Sequence, residues 1–397
     1  MWFNKELLSL RFSSHYQTLT KLHLKMKQIS KSQNNNNNSF KAKNTPVAPD
    51  GGYGWVVVIA LSLQVGASIN IIPLFADLYG PKFEKFQATE TEKSSVLAAF
   101  LIFAQGVSLF VGPLVQVSSE RIIGMIGATL QTLGVALSAI STATWHFILC
   151  IGVVTGTGFG ISIVNNIIII NKYFNKKIGI AMGLAASLLS IIGLILPQIL
   201  KILLPNFEIQ NVILIYSAFQ GVTSVLGAIL MKPLDNYSAV SKDLSEENQE
   251  NFFRRCLNFW KRVFSLVEWS LLKQPYFLFI TMVNCICMIN LQLQLSEISQ
   301  VAKERNFTLE ERADIISILS VADIFTKVAT GVIMDMKILK KLFDHPMKML
   351  YIFHAAGMGI TMIGLAYANS FAEMAFFVCI ASFFNSNILI NFSQILR

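Results

Sequence analysis

Charge is the scarcest ingredient of this chain. Of its 397 residues only 14% are Asp, Glu, Lys or Arg, against roughly 25% in an average soluble domain. Hydrophobic residues reach 53%, and mean hydropathy is +0.55. So few charges cannot cover the surface of a water-soluble chain this long. Five cysteines form no disulfide framework: Cys150, Cys285, Cys287 and Cys379 fall inside apolar runs, and Cys256 in a charged stretch. Cys285 and Cys287 point to different helix faces, which argues against a metal pair, and no metal site is expected. Zinc-ligand spacing, a P-loop, and a nucleophile with a His and an Asp partner in one compartment are all missing. An enzyme is therefore not expected, and neither is a cofactor. The first apolar stretch begins only after residue 54, so a cleavable signal peptide is not expected either.

What the chain has instead is long apolar runs. About 20 apolar residues in a helix cover the ~30 Å hydrocarbon core of a bilayer. In lipid every backbone N–H and C=O must find an internal partner, so such runs must be helices. The runs lie at about 55–79, 94–115, 122–142, 146–170, 178–201, 211–231, 275–296, 313–334, 348–367 and 372–392. The expected fold class is therefore an all-α polytopic membrane protein of about ten spans, with the lipid bilayer as its first partner. Residues 1–49, with Asn34 to Asn38 in a run, are too polar to bury a core and read as a disordered basic cytoplasmic tail. Residues 50–231 read as six spans, 232–273 as a cytoplasmic central loop, and 274–397 as four more spans.

Net charge is +9, but the lysines and arginines sit between apolar runs, so a nucleic-acid partner is not expected. Placing the basic tail inside puts Lys172, Lys176 and Lys177 on the same side as Arg254, Arg255, Lys261, Arg262 and Lys273, and as Lys337, Lys340, Lys341 and Lys348. The opposite loops are balanced or acidic, with Glu297, Glu310, Glu311 and Asp314. Both termini are then cytoplasmic. The sequon Asn306-Phe307-Thr308 faces out, and Asn236-Tyr237-Ser238 faces in.

Two motifs carry a resemblance. Asp50-Gly51-Gly52-Tyr53-Gly54-Trp55 is a flexible turn feeding an interfacial aromatic anchor at the start of span one. Asn171-Lys172-Tyr173-Phe174-Asn175-Lys176-Lys177, continuing into Ala181-Met182-Gly183-Leu184-Ala185, precedes and opens span five. Together they resemble the two signatures of the monocarboxylate transporter family, over residues 50 to about 392. Gly112-Pro113-Leu114 followed by Glu120-Arg121 is similar to the tight loop between spans two and three of the major facilitator superfamily. Leu271-Leu272-Lys273-Gln274-Pro275 resembles the start of span seven. Gly156, Gly158 and Gly160 read as close helix packing, since they follow no strand and lie inside an apolar run.

The resemblance implies a major facilitator fold, with a complete N-terminal six-helix bundle and an incomplete C-terminal bundle. Full-length members have twelve spans, so a chain of about ten is expected to be an incomplete or short form. The implied function is secondary active transport of monocarboxylates or related amphipathic solutes by alternating access, with protons as the coupled ion, at the plasma membrane. Some members need a single-span ancillary glycoprotein. The alternative is a non-transporting short form that associates with and regulates a full-length transporter.

Charge inside the spans gives the candidate site. Asp323 and Lys327 lie four apart in span eight and share a helix face. Each would cost roughly 2.5–3.5 kcal/mol at a helix centre, so neither should face lipid. They form either a structural ion pair or a transport site. In the family, an Asp and an Arg at this spacing are implicated in proton coupling and in binding the substrate carboxylate. Lys327 keeps the charge of that Arg but not its two-pronged grip. Family members that carry lactate place a Lys in span one where this chain reads Ile71-Ile72-Pro73-Leu74-Phe75-Ala76-Asp77. Asn70 and Gln64 are the polar residues left there, for a substrate or for another helix. Asn165 and Asn166 pose the same choice, as do Asn284, Asn290, Gln198, Gln220 and His354. Lys176 and Lys177 could guide anions at the cytoplasmic mouth. Asp77 is expected at the outer interface, and Asp335 is expected to latch onto basic loop residues.

Overall fold

The computed structural model describes residues 48–234, 300–335 and 346–385, with isolated positions between 261 and 298. The expected tail up to residue 47, most of the central loop with Cys256, and span seven with Cys285, Cys287, Asn284 and Asn290 lie outside the described residues. So do Lys337, Lys340 and Lys341 and the side chains of Asp335, Lys348 and His354.

Among the described residues every regular element is a helix. In chain order these are α1 (Gly54–Asn70), α2 (Phe75–Lys85), α3 (Glu90–Val117), α4 (Glu120–Ser138), α5 (Thr144–Tyr173), α6 (Ile178–Asn206), α7 (Ile209–Leu230), α8 (Leu309–Asp335), α9 (Pro346–Tyr367) and α10 (Phe371–Asn385). Among the described residues seven spans are long and apolar enough to cross a membrane, counting α1 and α2 as one, and α9 and α10 contain shorter apolar helices. The chain is a multi-pass membrane protein.

Span one departs from the smooth run expected at 55–79. It extends to Lys85 and is interrupted between Asn70 and Phe75. Pro73 lies in the interruption, where its missing N–H and fixed ring cannot continue the ladder. Within α5, residues Ile148–Thr155 are wound as a π-helix.

Three helices begin alike. Thr89 accepts from the backbone of Glu92 while Glu92 accepts from the backbone of Thr89, and the same reciprocal box joins Thr308 to Glu311 and Ser370 to Glu373. Each box satisfies two of the orphan N–H groups at a helix start. All three boxes lie in loops expected, from the distribution of basic residues in the sequence, on the outer side. Thr308 is also the third residue of the Asn306 sequon, and Asn306 is exposed.

Helices α1 to α7 pack together, with α1 enclosed by α5, α6 and α7; Val57, Val58 and Val65 of α1 are fully buried. Small residues set the spacing, as expected where packing rather than water expulsion holds helices together. A Cβ at Gly156 or Gly160 would meet the carbonyl oxygens of Phe100 and Ala104 on α3 at 2.6 and 2.2 Å. One at Gly158 would meet the backbone of Gln131 on α4 at 2.4 Å. The glycine stripe is thus a two-sided packing surface.

The main contact between this group and α8 is made by α6. Near one end of the crossing, a Cβ at Gly183 would lie 2.7 Å from the carbonyl oxygen of Lys327 and 3.0 Å from Cα of Gly331. A Cβ at Gly331 would lie 2.6 Å from the carbonyl oxygen of Gly179. The two backbones therefore touch. Gly183→Val or Gly331→Val is expected to force them apart and to destabilise the purified protein by about 1–3 kcal/mol, read as a lower melting temperature in detergent. An unchanged melting temperature for both would show that the crossing is not this tight.

Candidate functional site

The α6–α8 crossing holds the only ion pair among the described residues that lies within the middle of a span. Four-residue spacing puts Asp323 and Lys327 on one face of α8, and Lys327 Nζ is 2.6 Å from Asp323 Oδ2. Their side chains are 14% and 17% exposed. A third group, missed at the level of sequence, completes the arrangement: Lys327 also donates to Ser190 Oγ on α6, at 2.8 Å. The Ser190 hydroxyl has two acceptors for its own proton, Asp323 Oδ2 at 3.4 Å and the Ala186 carbonyl at 3.3 Å. One lysine thus joins a carboxylate on its own helix to a hydroxyl on the opposing one. Asp323 Oδ1 is enclosed and has no hydrogen-bond partner among the described residues. An ionised carboxylate can accept at both oxygens, so this acceptor is open to a proton or a donor.

The crossing is polar along its length. Ser187 Oγ donates to the carbonyls of Gly183 and Ile324, at 2.8 and 3.1 Å. Gln198 donates to Ser317 Oγ and Asp314 Oδ1, at 2.9 and 3.2 Å. Asn70, at the end of α1, donates to the carbonyls of Gly66 and Leu189. A Cβ at Gly193 would lie 2.5 Å from its oxygen and 3.0 Å from Ser320 Oγ. Of the span-one candidates, Asn70 is therefore the one brought against the stretch of α6 that carries Ser190.

Gln64, Asn165 and Asn166 lie elsewhere, each fully buried within α1–α7. Gln64 donates to the Gly124 carbonyl at 2.7 Å, and Asn165 to the Glu120 carbonyl at 3.0 Å. The Asn166 amide is enclosed, with no hydrogen-bond partner among the described residues for either polar atom. Gln131 and Gln220 extend this interior network: Ser68 donates to Gln131 at 2.6 Å, and Gln220 donates to Ser68 at 2.7 Å.

The two motifs meet at one end of the molecule. Asp50 Oδ1 accepts from the backbone N–H groups of Asn175 and Lys176, at 2.7 and 2.8 Å, and from Lys177 at 3.4 Å. Its own N–H donates to the Tyr173 carbonyl at 3.0 Å. Gly54 lies against the ring of Phe174, and a Cβ there would come within 2.8 Å of it. Trp55 packs against that ring at a tilt of 58°, with centroids 5.0 Å apart. The Tyr53 and Tyr173 hydroxyls donate to the carbonyls of Leu230 and Lys232, both at 2.9 Å. The first motif thus holds the loop between α5 and α6 with a carboxylate and ties α1, α5 and the end of α7 together. Gly51 and Gly52 provide the turn, with Gly52 at φ +59°. Lys176 and Lys177 have exposed side chains, while their backbones hold Asp50. Lys172, expected as a loop residue, lies in the last turn of α5 and pairs with the fully buried Glu120 at 2.7 Å.

The sequence pattern of the Major Facilitator Superfamily matches residues 54–396. Among curated proteins, the chain is 25% identical over 301 residues to human monocarboxylate transporter 2, covering 74% of this chain and 62% of that protein. It is 30% identical over 193 residues to human monocarboxylate transporter 12, covering 47% of this chain and 36% of that protein. The chain thus spans less than two thirds of the length of these relatives. These similarities bear out the resemblance carried by the two motifs. Among solved structures it is similar to the human organic anion transporter MFSD10 (TETRAN), with TM-score 0.54 and 12% identity over 86% of this chain and 84% of that one. That likeness concerns the fold.

Three backbone donors, that of Asn175 first, hold the Asp50 carboxyl below its ordinary range. A carboxyl lowered by folding contributes stability above its unfolded pKa, near 4, and loses it as pH falls through the folded value. Asp50→Asn is expected to destabilise the purified protein at pH 7 by about 1 kcal/mol, as weakening of hydrogen bonds to a carboxylate does. The gap between variant and wild type in melting temperature should close as pH falls below about 4. A gap that stays constant down to that pH would remove the carboxylate from this role.

Proposed function

The chain belongs to the Major Facilitator Superfamily, and from that premise we propose that it is a secondary transporter of monocarboxylates and related small organic anions, working by alternating access in the plasma membrane. One observation carries the reading. Lys327 is held between Asp323 on its own helix and Ser190 on the facing helix, at the contact between two helix groups. A substrate carboxylate that takes the ammonium replaces Asp323 as its partner. Asp323 is then left to take a proton, since an unpaired buried carboxylate is costly. Anion and proton binding are thereby linked at one site. Lys327 offers a compact charge rather than a planar fork, so it grips a carboxylate at one point and leaves discrimination to the walls. With the basic loops inside, both termini are cytoplasmic, and Lys176 and Lys177 lie at the inner mouth. Two roles sit outside the described contacts: a single-span ancillary glycoprotein as surface partner, and His354 as a proton relay.

The test is uptake of radiolabelled pyruvate, propionate and phenylpyruvate by proteoliposomes holding the purified chain. Wild type is expected to show saturable uptake of at least one, accelerated by an inward proton gradient. Lys327→Gln should lower it by roughly ten-fold or more, the effect of about 1.4 kcal/mol. Asp323→Asn should lose the proton stimulation while still exchanging substrate for substrate. Proton-stimulated uptake unchanged in both variants would sink the assignment. Uptake by the purified chain alone would also exclude a purely regulatory role.

A further inference from the structure

The segment leading into α8 is fastened to α1–α7 by charge. Arg312 Nη2 is 3.1 Å from Asp77 Oδ1 on α2. Lys303 Nζ is 2.7 Å from Glu84 Oε1, also on α2. Lys201 on α6 pairs with Glu310, and Gln300 donates to Glu90 at the start of α3, at 3.2 Å. Four contacts therefore join three helices of the first group to residues 300–312, all at the same end of the molecule. They differ in quality. Glu84 and Glu310 are 61% and 67% exposed, and pairs so wet contribute little and are screened by salt. Asp77 and Arg312 are 5% and 13% exposed. Asp77, expected at the interface, is instead enclosed between helices. A buried pair is hard to break one partner at a time, because the charge left behind has no water to turn to. It is also readily dispensed with when both partners leave together, since its net contribution is small. That is the behaviour of a catch rather than a weld.

We propose that Asp77 and Arg312 form a latch that holds α8 and the segment before it against α2 at this end, with Glu84–Lys303 and Lys201–Glu310 as its outer rim. On the distribution of basic loops this is the outward mouth, so the latched form is closed to the outside. A cavity of about 660 Å³ shares the same walls. It is lined by Phe75 and Phe83 of α2, Leu97 and Phe100 of α3, and Lys303. Releasing the latch would draw the Lys303 wall away from the α2 wall and open the cavity.

The test needs no substrate. A water-soluble carbodiimide joins a carboxylate and an amine in contact as an amide, with loss of water. Applied to the purified full chain, it should couple Glu84 to Lys303 across the rim, where Nζ and Oε1 are 2.7 Å apart. Mass spectrometry reads the coupled peptide against an isotope-labelled copy added in known amount as the standard. Asp77→Asn and Arg312→Gln should each lower the Glu84–Lys303 product at least three-fold against that standard. Arg312→Lys, which keeps the charge, should leave it near the wild-type level, and the exchange Asp77→Arg with Arg312→Asp should restore it to between the neutral variants and wild type. All variants are compared as monodisperse protein. The latch is overturned if the neutral variants couple Glu84 to Lys303 as well as wild type does. It is equally overturned if Arg312→Lys falls as far as Arg312→Gln, because packing rather than charge would then hold the contact.

Discussion

The approach of α6 to α8 is the constraint on which the rest depends. In a bilayer, apolar surface gains nothing by leaving lipid for another helix. Close backbone contact and polar bonds must therefore hold helices together. Gly179, Gly183 and Gly331 let these two backbones touch, and only then can short side chains reach across. Ser187 meets the Ile324 carbonyl, and Ser190 meets Lys327. A serine hydroxyl extends little beyond its Cβ. Had valines stood at the glycines, α6 would ride away from α8 and the ammonium of Lys327 would have Asp323 as its sole described partner. The polar centre is thus a consequence of the glycines, although they carry no chemistry themselves.

A second constraint acts at the opposite end from the latch. The turn that leads into α6 exposes backbone N–H groups that need partners. The chain meets this before α6 with a residue far away in sequence, Asp50. Because Asp50 accepts from Asn175, Lys176 and Lys177, the start of α1 and the loop before α6 cannot separate without orphaning those donors. Asp50 itself sits at φ +51°, a region that favours glycine but admits Asp. The backbone between Asp50 and Gly54 is therefore bent to present a carboxylate, while Trp55 and Phe174 fix the distance.

Much of the fold was legible because the bilayer imposes it. Runs such as 178–201 and 211–231 had to be helices, and the structure finds α6 and α7 there. The Asp323–Lys327 pair was legible because four-residue spacing is local. Ser190 was not, since nothing in a run of Leu, Ser and Ile says which helix it will face. Partnership across spans depends on helix order and rotation, which hydropathy does not encode. The same blindness left Gln64 and Asn165 open between substrate and helix contacts. The structure encloses both beside carbonyls of α4 and its first residue, Glu120. Asp77 shows the subtler failure. Its place near the end of span one was readable, but its burial was not, because the partner that makes burial tolerable, Arg312, lies on α8.

Helix α8 carries both charged groups, and its stiffness ties them together. At 1.5 Å per residue, Asp323 lies about 12 Å along the axis from the close crossing at Gly331, and Arg312 about 28 Å. A rigid helix pivoting at that crossing moves these points in proportion. Withdrawing Arg312 by about 4 Å, enough to break an ion pair, carries the level of Asp323 by about 1.7 Å. At Lys327, about 6 Å from the crossing, the same pivot gives about 0.8 Å, which stretches the 2.8 Å hydrogen bond to Ser190 past ordinary hydrogen-bond length. In the other direction, a ligand that draws Lys327 away from Ser190 removes a bond opposing the pivot and so weakens the hold at Arg312. The central pair and the latch are two readings of one angle between α6 and α8. The coupling needs no chain of intermediates beyond the helix itself.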